Sequence, residues 1–391
     1  GIQETGQIDV FSLTVEGGKV TSGMDNISIN PTIRFVFSRS IDPALFEQAL
    51  KINPLSNGTI VAINSTNNSS AIEVSLNLDY GSTYEFMLEG TIGVNGEMLN
   101  ETINFSFKTQ VDDTIYSKPP CLNTADCLQS KLISHNTGQG NFDFYANYPI
   151  YEDNAKWQNL EKAVIVVHGA SVNPDDYYSY MTTTIEALGV SESTVLIAPD
   201  FKSSEVSSGD IYWSSLGYRD CKESSGTTKI SSFEVLDILI SRLADKNFFP
   251  ALNEIVITGQ SSGGRFVHTY AAGNRSESLY PEIHFEYIVS ESQYFYYPTD
   301  ERIDEQTNNL YVPTNCNGLQ FWPFGYELAP DYVSVLDKAT FNDRFVSRSI
   351  TYLLGNGSGS DSELNTTDCE AVVSVSSRYQ RGENMYLYMD L

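Results

Sequence analysis

The sequence predicts a two-part protein: an all-β sandwich, then an α/β region whose mostly parallel sheet is covered by helices on both faces. Three observations carry that prediction. Short alternating runs punctuated by turn residues fill roughly the first 110 positions. Further on, strands become continuous apolar runs and alternate with helical patterns, as buried parallel strands do. Between one such run and a helical pattern lies Gly259-Gln260-Ser261-Ser262-Gly263, which fits Gly-x-Ser-x-Gly.

In the first part, Thr32-Ile33-Arg34-Phe35-Val36-Phe37, Ile72 to Leu76 and Tyr84 to Leu88 alternate apolar with polar residues, and Asn104 to Thr109 closes the set. Asn57-Gly58, Tyr80-Gly81-Ser82 and Asn95-Gly96 are turn signals at sandwich spacing. The run Asn30-Pro31 through Phe37-Ser38 to Ile41-Asp42-Pro43, then Leu78 to Tyr84 and the final Phe-x-Phe-x-Thr, resembles bacterial surface-type immunoglobulin-like domains. The resemblance implies a sandwich over residues 1–110 that acts as a spacer or adhesive unit without catalytic residues. Residues 111–130 read as a linker, beginning its second half with Pro119-Pro120 and clipped by the close pair Cys121 and Cys127.

From 131 to 391 the pattern is α/β. Phe142 to Ala146 is a strand with its aromatic residues on one face; Ala163 to Val167 and Thr194 to Ala198 are fully apolar runs. Asp175 to Leu188 reads as a helix. A second helix places Ile230, Phe233, Leu236, Ile240 and Leu243 at helical spacing and ends before Pro250. Further strands are expected at Ile255 to Thr258, Phe285 to Val289 and Ile350 to Leu354.

Strand, sharp turn and helix around Ser261 form a nucleophile elbow, in which a strained turn lifts a serine hydroxyl above the sheet. A Gly/Ser turn between a core strand and a core helix is the plainer alternative. Val167-His168-Gly169-Ala170 follows a buried strand upstream, where such a fold places its second oxyanion donor; the first is the N–H of Ser262. Each such donor is worth about 3 kcal/mol in acyl transfer.

With these pieces, with Ile230 to Asp237, with Gly263-Gly264-Arg265-Phe266, and with Cys369-Glu370-Ala371 followed by Arg378-Tyr379-Gln380-Arg381-Gly382, the chain from 131 onward resembles secreted or surface serine esterases of the α/β-hydrolase fold. The resemblance implies Ser261 as nucleophile and Ser262 with Gly169 or Ala170 as oxyanion donors.

A serine nucleophile needs a base, in this fold a histidine that follows the acid in the sequence. The likeness puts the acid near Ser358; Asp361 serves only if its loop is rearranged, and a solvated loop aspartate is the plainer reading. The histidines are His135, His168, His268 and His284, all before that acid. His268 lies about 10 Å along the elbow helix, a packing position. The expectation is a hydrolase domain lacking its last strand and histidine loop. Three accounts fit: a longer chain, a fold that has lost its triad and binds or builds, or an edge strand supplied by another chain. Ser358, Gln260 and Ser290-Glu291-Ser292 favour loss of the triad; the intact elbow favours a longer chain.

A net charge of -27 argues against nucleic acid and anionic membranes as partners, and no apolar run is long enough to span a bilayer. A start at Gly1 is compatible with a leader already removed. The cysteines, with ten Asn-x-Ser/Thr sequons, point to an extracellular or cell-surface glycoprotein. The partners expected are an ester substrate or a carbohydrate or cell-surface ligand, with self-association through the sandwich or the open sheet edge. No metal spacing, phosphate loop or dinucleotide fingerprint appears, so no cofactor is expected. Cys316 and Cys369 fall in loops on the site face and could pair, leaving Cys221 free. Trp213, Tyr218, Tyr294 to Tyr297 and Trp322 either line an apolar acyl pocket or pack a lid.

Overall fold

A computed structural model describes residues 6–391 apart from 22, 56–58, 111–117, 154, 359–360 and 374–375. The turn expected at Asn57-Gly58 and the first part of the expected linker lie outside the described residues. The chain divides into two compact units, the second comprising Lys118–Glu152 and Trp157–Leu391.

The first unit is a sandwich. One sheet orders Gly18–Lys19, Val10–Val15, Thr32–Phe37, Ala71–Leu76 and Ile60–Thr66; the other orders Met24–Ile27, Ile103–Thr109, Thr83–Leu88 and Leu50–Asn53. The sequence alternation becomes burial. Ile33, Phe35 and Phe37 point inward from one sheet and Tyr84, Phe86 and Leu88 from the other. Phe86 and Phe107 stack with centroids 5.0 Å apart, and Phe35 meets Phe46 edge-on at 5.2 Å. Each such side chain contributes about 1.5–3 kcal/mol by leaving water.

In the second unit the sheet strands and principal helices are β1 (Leu128–His135), β2 (Gly138–Ala146), β3 (Lys162–Val167), α1 (Pro174–Ala187), β4 (Thr194–Pro199), α2 (Ser232–Ala244), β5 (Glu254–Gln260), α3 (Ser262–Gly273), β6 (His284–Ser290), α4 (Lys338–Val346), β7 (Ile350–Leu353) and α5 (Arg378–Asp390). Their order is β1-β2-β4-β3-β5-β6-β7, antiparallel as far as β4 and parallel from there on. β4 is buried at every position and β3 at all but its first, as their unbroken apolar runs require. Ser231 caps α2 in a capping box with Glu234, where the apolar spacing placed that helix.

The linker reading is corrected here. β1 pairs with β2 along its whole length, so residues 128–130 are strand. The clip is a disulfide, Cys121–Cys127, and Tyr178 of α1 donates to the Cys121 carbonyl at 2.7 Å, so the clip packs inside the second unit. Alternation in Leu128–His135 is weak because Ile133 alone in this edge strand is buried. The second expected pairing, Cys316–Cys369, is also a disulfide, and Cys221 is free and buried.

From β3 the chain crosses to β4 on one side, and later returns to β5 on the other. That is a topological switch point, where open α/β sheets leave a crevice at the carboxyl ends of their strands. Those ends carry His168-Gly169 and Ser261.

Candidate active site

Ser261 sits in the turn between β5 and α3 with φ 57° and ψ -114°, a conformation costly for any residue with a Cβ. Its N–H donates to the Ser290 carbonyl at 3.0 Å and its own carbonyl accepts from Arg265 N–H at 3.0 Å, which pins the turn on both sides. The glycines have a measurable reason. A Cβ at Gly263 would lie 2.2 Å from the Val167 carbonyl oxygen, and one at Gly264 would lie 2.5 Å from that of Ser290. The first turn of α3 therefore presses directly on the ends of β3 and β6. The Ser261 side chain makes no capping hydrogen bond to α3, as the first N–H groups of a helix would otherwise invite.

On the neighbouring strand end, His168 is fully buried. Its Nε2 accepts from Phe201 N–H at 3.2 Å and its Nδ1 donates to the Gly169 carbonyl at 2.9 Å, which fixes a neutral tautomer. Burial pushes its pKa down to about 4. Tyr218 Oη donates to the carbonyls of His168 and Gly169 at 3.1 and 3.0 Å. The imidazole thus holds the Gly169-Ala170 loop in place and is not free to accept a proton. Over this loop lies the Tyr177 hydroxyl, 2.9 Å from where a Cβ on Gly169 would sit and 3.5 Å from Gln260 Oε1. Burial raises the Tyr177 pKa, opposed by a hydrogen bond from the Gly169 backbone.

The Ser261 side chain meets a guanidinium. Arg378, the first residue of α5, donates from Nη1 to Ser261 Oγ at 2.8 Å and to the Glu291 carbonyl at 3.2 Å. Asp361 grips the same guanidinium from the other side, with Nε at 2.5 Å and Nη2 at 3.3 Å. Hydrogen bonding by Arg378 holds the Asp361 carboxyl below the ordinary aspartate range. A cavity of about 500 Å³ opens here, lined mainly by Gln260, Ser261, Glu291, Asn356, Asp361 and Arg378. Glu291 Oε1 accepts from Gly355 N–H, tying the end of β6 to the end of β7.

The sequence-predicted residues therefore divide. Ser261, Ser262 and the Gly169-Ala170 loop converge on the switch point. Asp361 reaches it as well, through Arg378 and not through an imidazole. Ser358 is exposed and bonded to Asn356, as its hydroxyl chemistry allows. His268 packs in the core against Phe295, Phe345 and Tyr352, with its pKa pushed by burial down to about 4. His135 pairs loosely with Glu234 at 3.8 Å and His284 with Glu286 at 3.9 Å.

Of the loop aromatics, Trp213, Tyr218, Phe295, Tyr296 and Tyr297 are buried in packing, and none of the seven lines the cavity among the described residues. The packing alternative is the one the structure realises. Arg378, Glu291 and Tyr177 were not assigned roles from sequence. No local pattern marks a pair 117 residues apart. One sequon is also excluded from modification in the folded chain: Asn274 is fully buried and its side-chain amide donates to Tyr287 Oη at 2.7 Å.

Residues 9–109 match the bacterial Ig-like domain family. No curated protein matches the chain at a significant level. Similar solved structures include a poly(aspartic acid) hydrolase from Sphingomonas sp. KT-1, with 19% identity, 70% of this chain and 86% of that one covered, and a TM-score of 0.46. A poly(3-hydroxybutyrate) depolymerase from Bordetella parapertussis gives 15%, 69%, 83% and 0.45. A siderophore hydrolase from Aspergillus nidulans gives 10%, 71%, 86% and 0.36. At these scores the fold assignment rests on the strand order, the switch point and the elbow. No helix among the described residues is long and apolar enough to cross a membrane. The chain has an N-terminal Ig-like β region, matched over residues 9–109, followed by a unit with an α/β-hydrolase-like arrangement of sheet and helices.

Proposed function

We propose that the second unit is a serine carboxylic-ester hydrolase scaffold on an extracellular protein, with hydrolysis by these residues held far below that of a complete triad. Ser261 is the nucleophile. The N–H of Ser262, with that of Gly169 or Ala170, receives the oxyanion, and the ester's carbonyl carbon sits between them. Two disulfides support an oxidising compartment.

The observation that carries the reading is the 2.8 Å contact from Arg378 to Ser261 Oγ. General-base attack needs an acceptor at that place. A guanidinium has donors only and keeps its proton in proteins. The expected deficit is that of an enzyme without its base, about 10²–10⁴-fold in rate.

The test is labelling by an aryl fluorophosphonate with site mapping, beside turnover of p-nitrophenyl acetate. Slow labelling confined to Ser261, lost in Ser261→Ala, with turnover within about tenfold of that variant, is the expected result. Fast stoichiometric labelling with strong turnover would remove the impairment from the account, and adducts elsewhere would remove Ser261.

A second reading, a non-catalytic surface protein, is favoured by the same guanidinium contact and by the Ig-like domain. It predicts no Ser261 adduct at any pH, together with concentration-dependent sedimentation.

A further inference from the structure

Arg378 is placed with unusual completeness. Its five N–H donors comprise one on Nε and two on each Nη. Nε and one from Nη2 go to Asp361; both from Nη1 go to Ser261 Oγ and the Glu291 carbonyl. Four of five are committed, so this guanidinium is not a loose cation awaiting an anion. Its side chain is only 12% exposed.

The backbone behind it is equally fixed. Ser377 caps α5 by accepting from Gln380 N–H at 3.1 Å. One turn on, Arg381 donates to the carbonyls of Asn365 and Gln293 at 2.6 and 3.3 Å. Cys369, a few residues upstream, is bonded to Cys316. The facing charges are Asp361 in the loop after β7, Glu291 after β6, and Arg381 on the next turn of α5.

Carboxylate, nitrogen base and serine hydroxyl in a hydrogen-bonded row are the parts of a nucleophilic triad, each orienting the next. Here the row is Asp361, Arg378, Ser261. Its geometry is intact, and only the middle member has the wrong proton chemistry.

Resting on the reading of Ser261 as a nucleophile, we infer that Arg378 holds that serine inactive from the base position, and that a neutral imidazole supplied there turns the row into a working triad. Truncating the guanidinium to alanine opens a space beside Asp361 and Ser261. An imidazole in that space accepts a hydrogen bond from Ser261 Oγ while its other nitrogen donates to Asp361. As Oγ attacks the phosphorus of a fluorophosphonate, the imidazole takes the hydroxyl proton and fluoride leaves. The imidazolium then returns its proton to the buffer.

The experiment uses the full chain as wild type, Arg378→Ala, Arg378→Lys, Arg378→Ala with Asp361→Asn, and Arg378→Ala with Ser261→Ala. Each is checked for an unchanged circular dichroism spectrum and melting transition. Adduct formation at Ser261 is followed by mass spectrometry with and without imidazole. Arg378→Ala should label at least about tenfold faster when imidazole is added, in proportion to its neutral fraction across pH. Added guanidinium chloride, below its denaturing range, should cancel the gain.

Wild type and Arg378→Lys should not respond, and Asp361→Asn should blunt the response. Equal labelling of wild type and Arg378→Ala, with no imidazole effect, overturns the role of Arg378 and leaves Ser261 a nucleophile. Slower labelling in Arg378→Ala than in wild type overturns it too, since Arg378 would then be an activator. No Ser261 adduct in any folded variant overturns both readings.

Discussion

Arg378 Nη1 lies 2.8 Å from Ser261 Oγ and donates a hydrogen bond to it. On the proposed reading, this turn offers the attacking hydroxyl and the switch point the N–H donors. The guanidinium beside that hydroxyl gives a hydrogen bond where the proposed general-base chemistry would need one taken. Predictions follow from how each of these parts is held.

The elbow should not tolerate a methyl group. Gly263→Ala places a Cβ 2.2 Å from the Val167 carbonyl oxygen, and rigid backbone lies on both sides of that contact. A cost of about 3 kcal/mol is expected, at the upper end of ordinary overpacking. Urea denaturation of the variant checks it; a midpoint equal to wild type would show that α3 does not press on β3.

His168 should make the second unit acid-labile. Its folded pKa is depressed to about 4 from 6.5. The stability it contributes is complete above the unfolded value and is lost as pH falls through 6.5 toward 4. The size is about 3 kcal/mol at 1.36 kcal/mol per unit. His168→Asn should be less stable at pH 7 but show a flatter fall between pH 7 and 4.5, measured by denaturant titration at both. An unchanged pH slope would mean that the imidazole is not buried neutral.

Asp200 should behave in the opposite sense. Burial raises its pKa to about 6, only partly offset by Lys202. Its contribution is present below the unfolded value and lost as pH rises through 6. Asp200→Asn should therefore gain about 1 kcal/mol at pH 8, discounted for partial exposure, and nothing at pH 4. Paired melting curves at the two pH values decide it, and an equal effect at both would refute the assignment.

The Cys316–Cys369 bond should restrain the segment that delivers Arg378. It closes a loop with a sequence separation of 53, worth about 4 kcal/mol of unfolded-state entropy. Cys316→Ser with Cys369→Ser should lower the melting temperature and speed amide exchange over residues 361–378. Exchange confined to the immediate neighbourhood of residue 369 would separate the disulfide from the placement of Arg378.

Much of the fold was legible because burial writes itself into short-range pattern. Thr32–Phe37 alternates where one face is buried, while Ala163–Val167 does not, because both faces are. Strand β1 was missed because it is an edge whose residues are mostly exposed, and its polar half reads as linker. The elbow was legible because Gly263 and Gly264 record close backbone approaches.

The row of Asp361, Arg378 and Ser261 was not. It joins a loop, a helix start and a turn far apart in sequence, through side chains whose individual types are ordinary on a surface. Sequence reading found no histidine after Asp361 in residues 1–391 and had no means of seeing Arg378 beside Ser261.

The most direct test of the central claim is the pH dependence of fluorophosphonate labelling at Ser261 in the wild-type chain of residues 1–391, followed by intact mass. With a guanidinium donating to that hydroxyl, attack should depend on hydroxide, so the rate should climb roughly tenfold per pH unit through neutrality without levelling. A rate that rises to a plateau with a midpoint between about 6 and 7 would show an imidazole acting as base and would contradict the account.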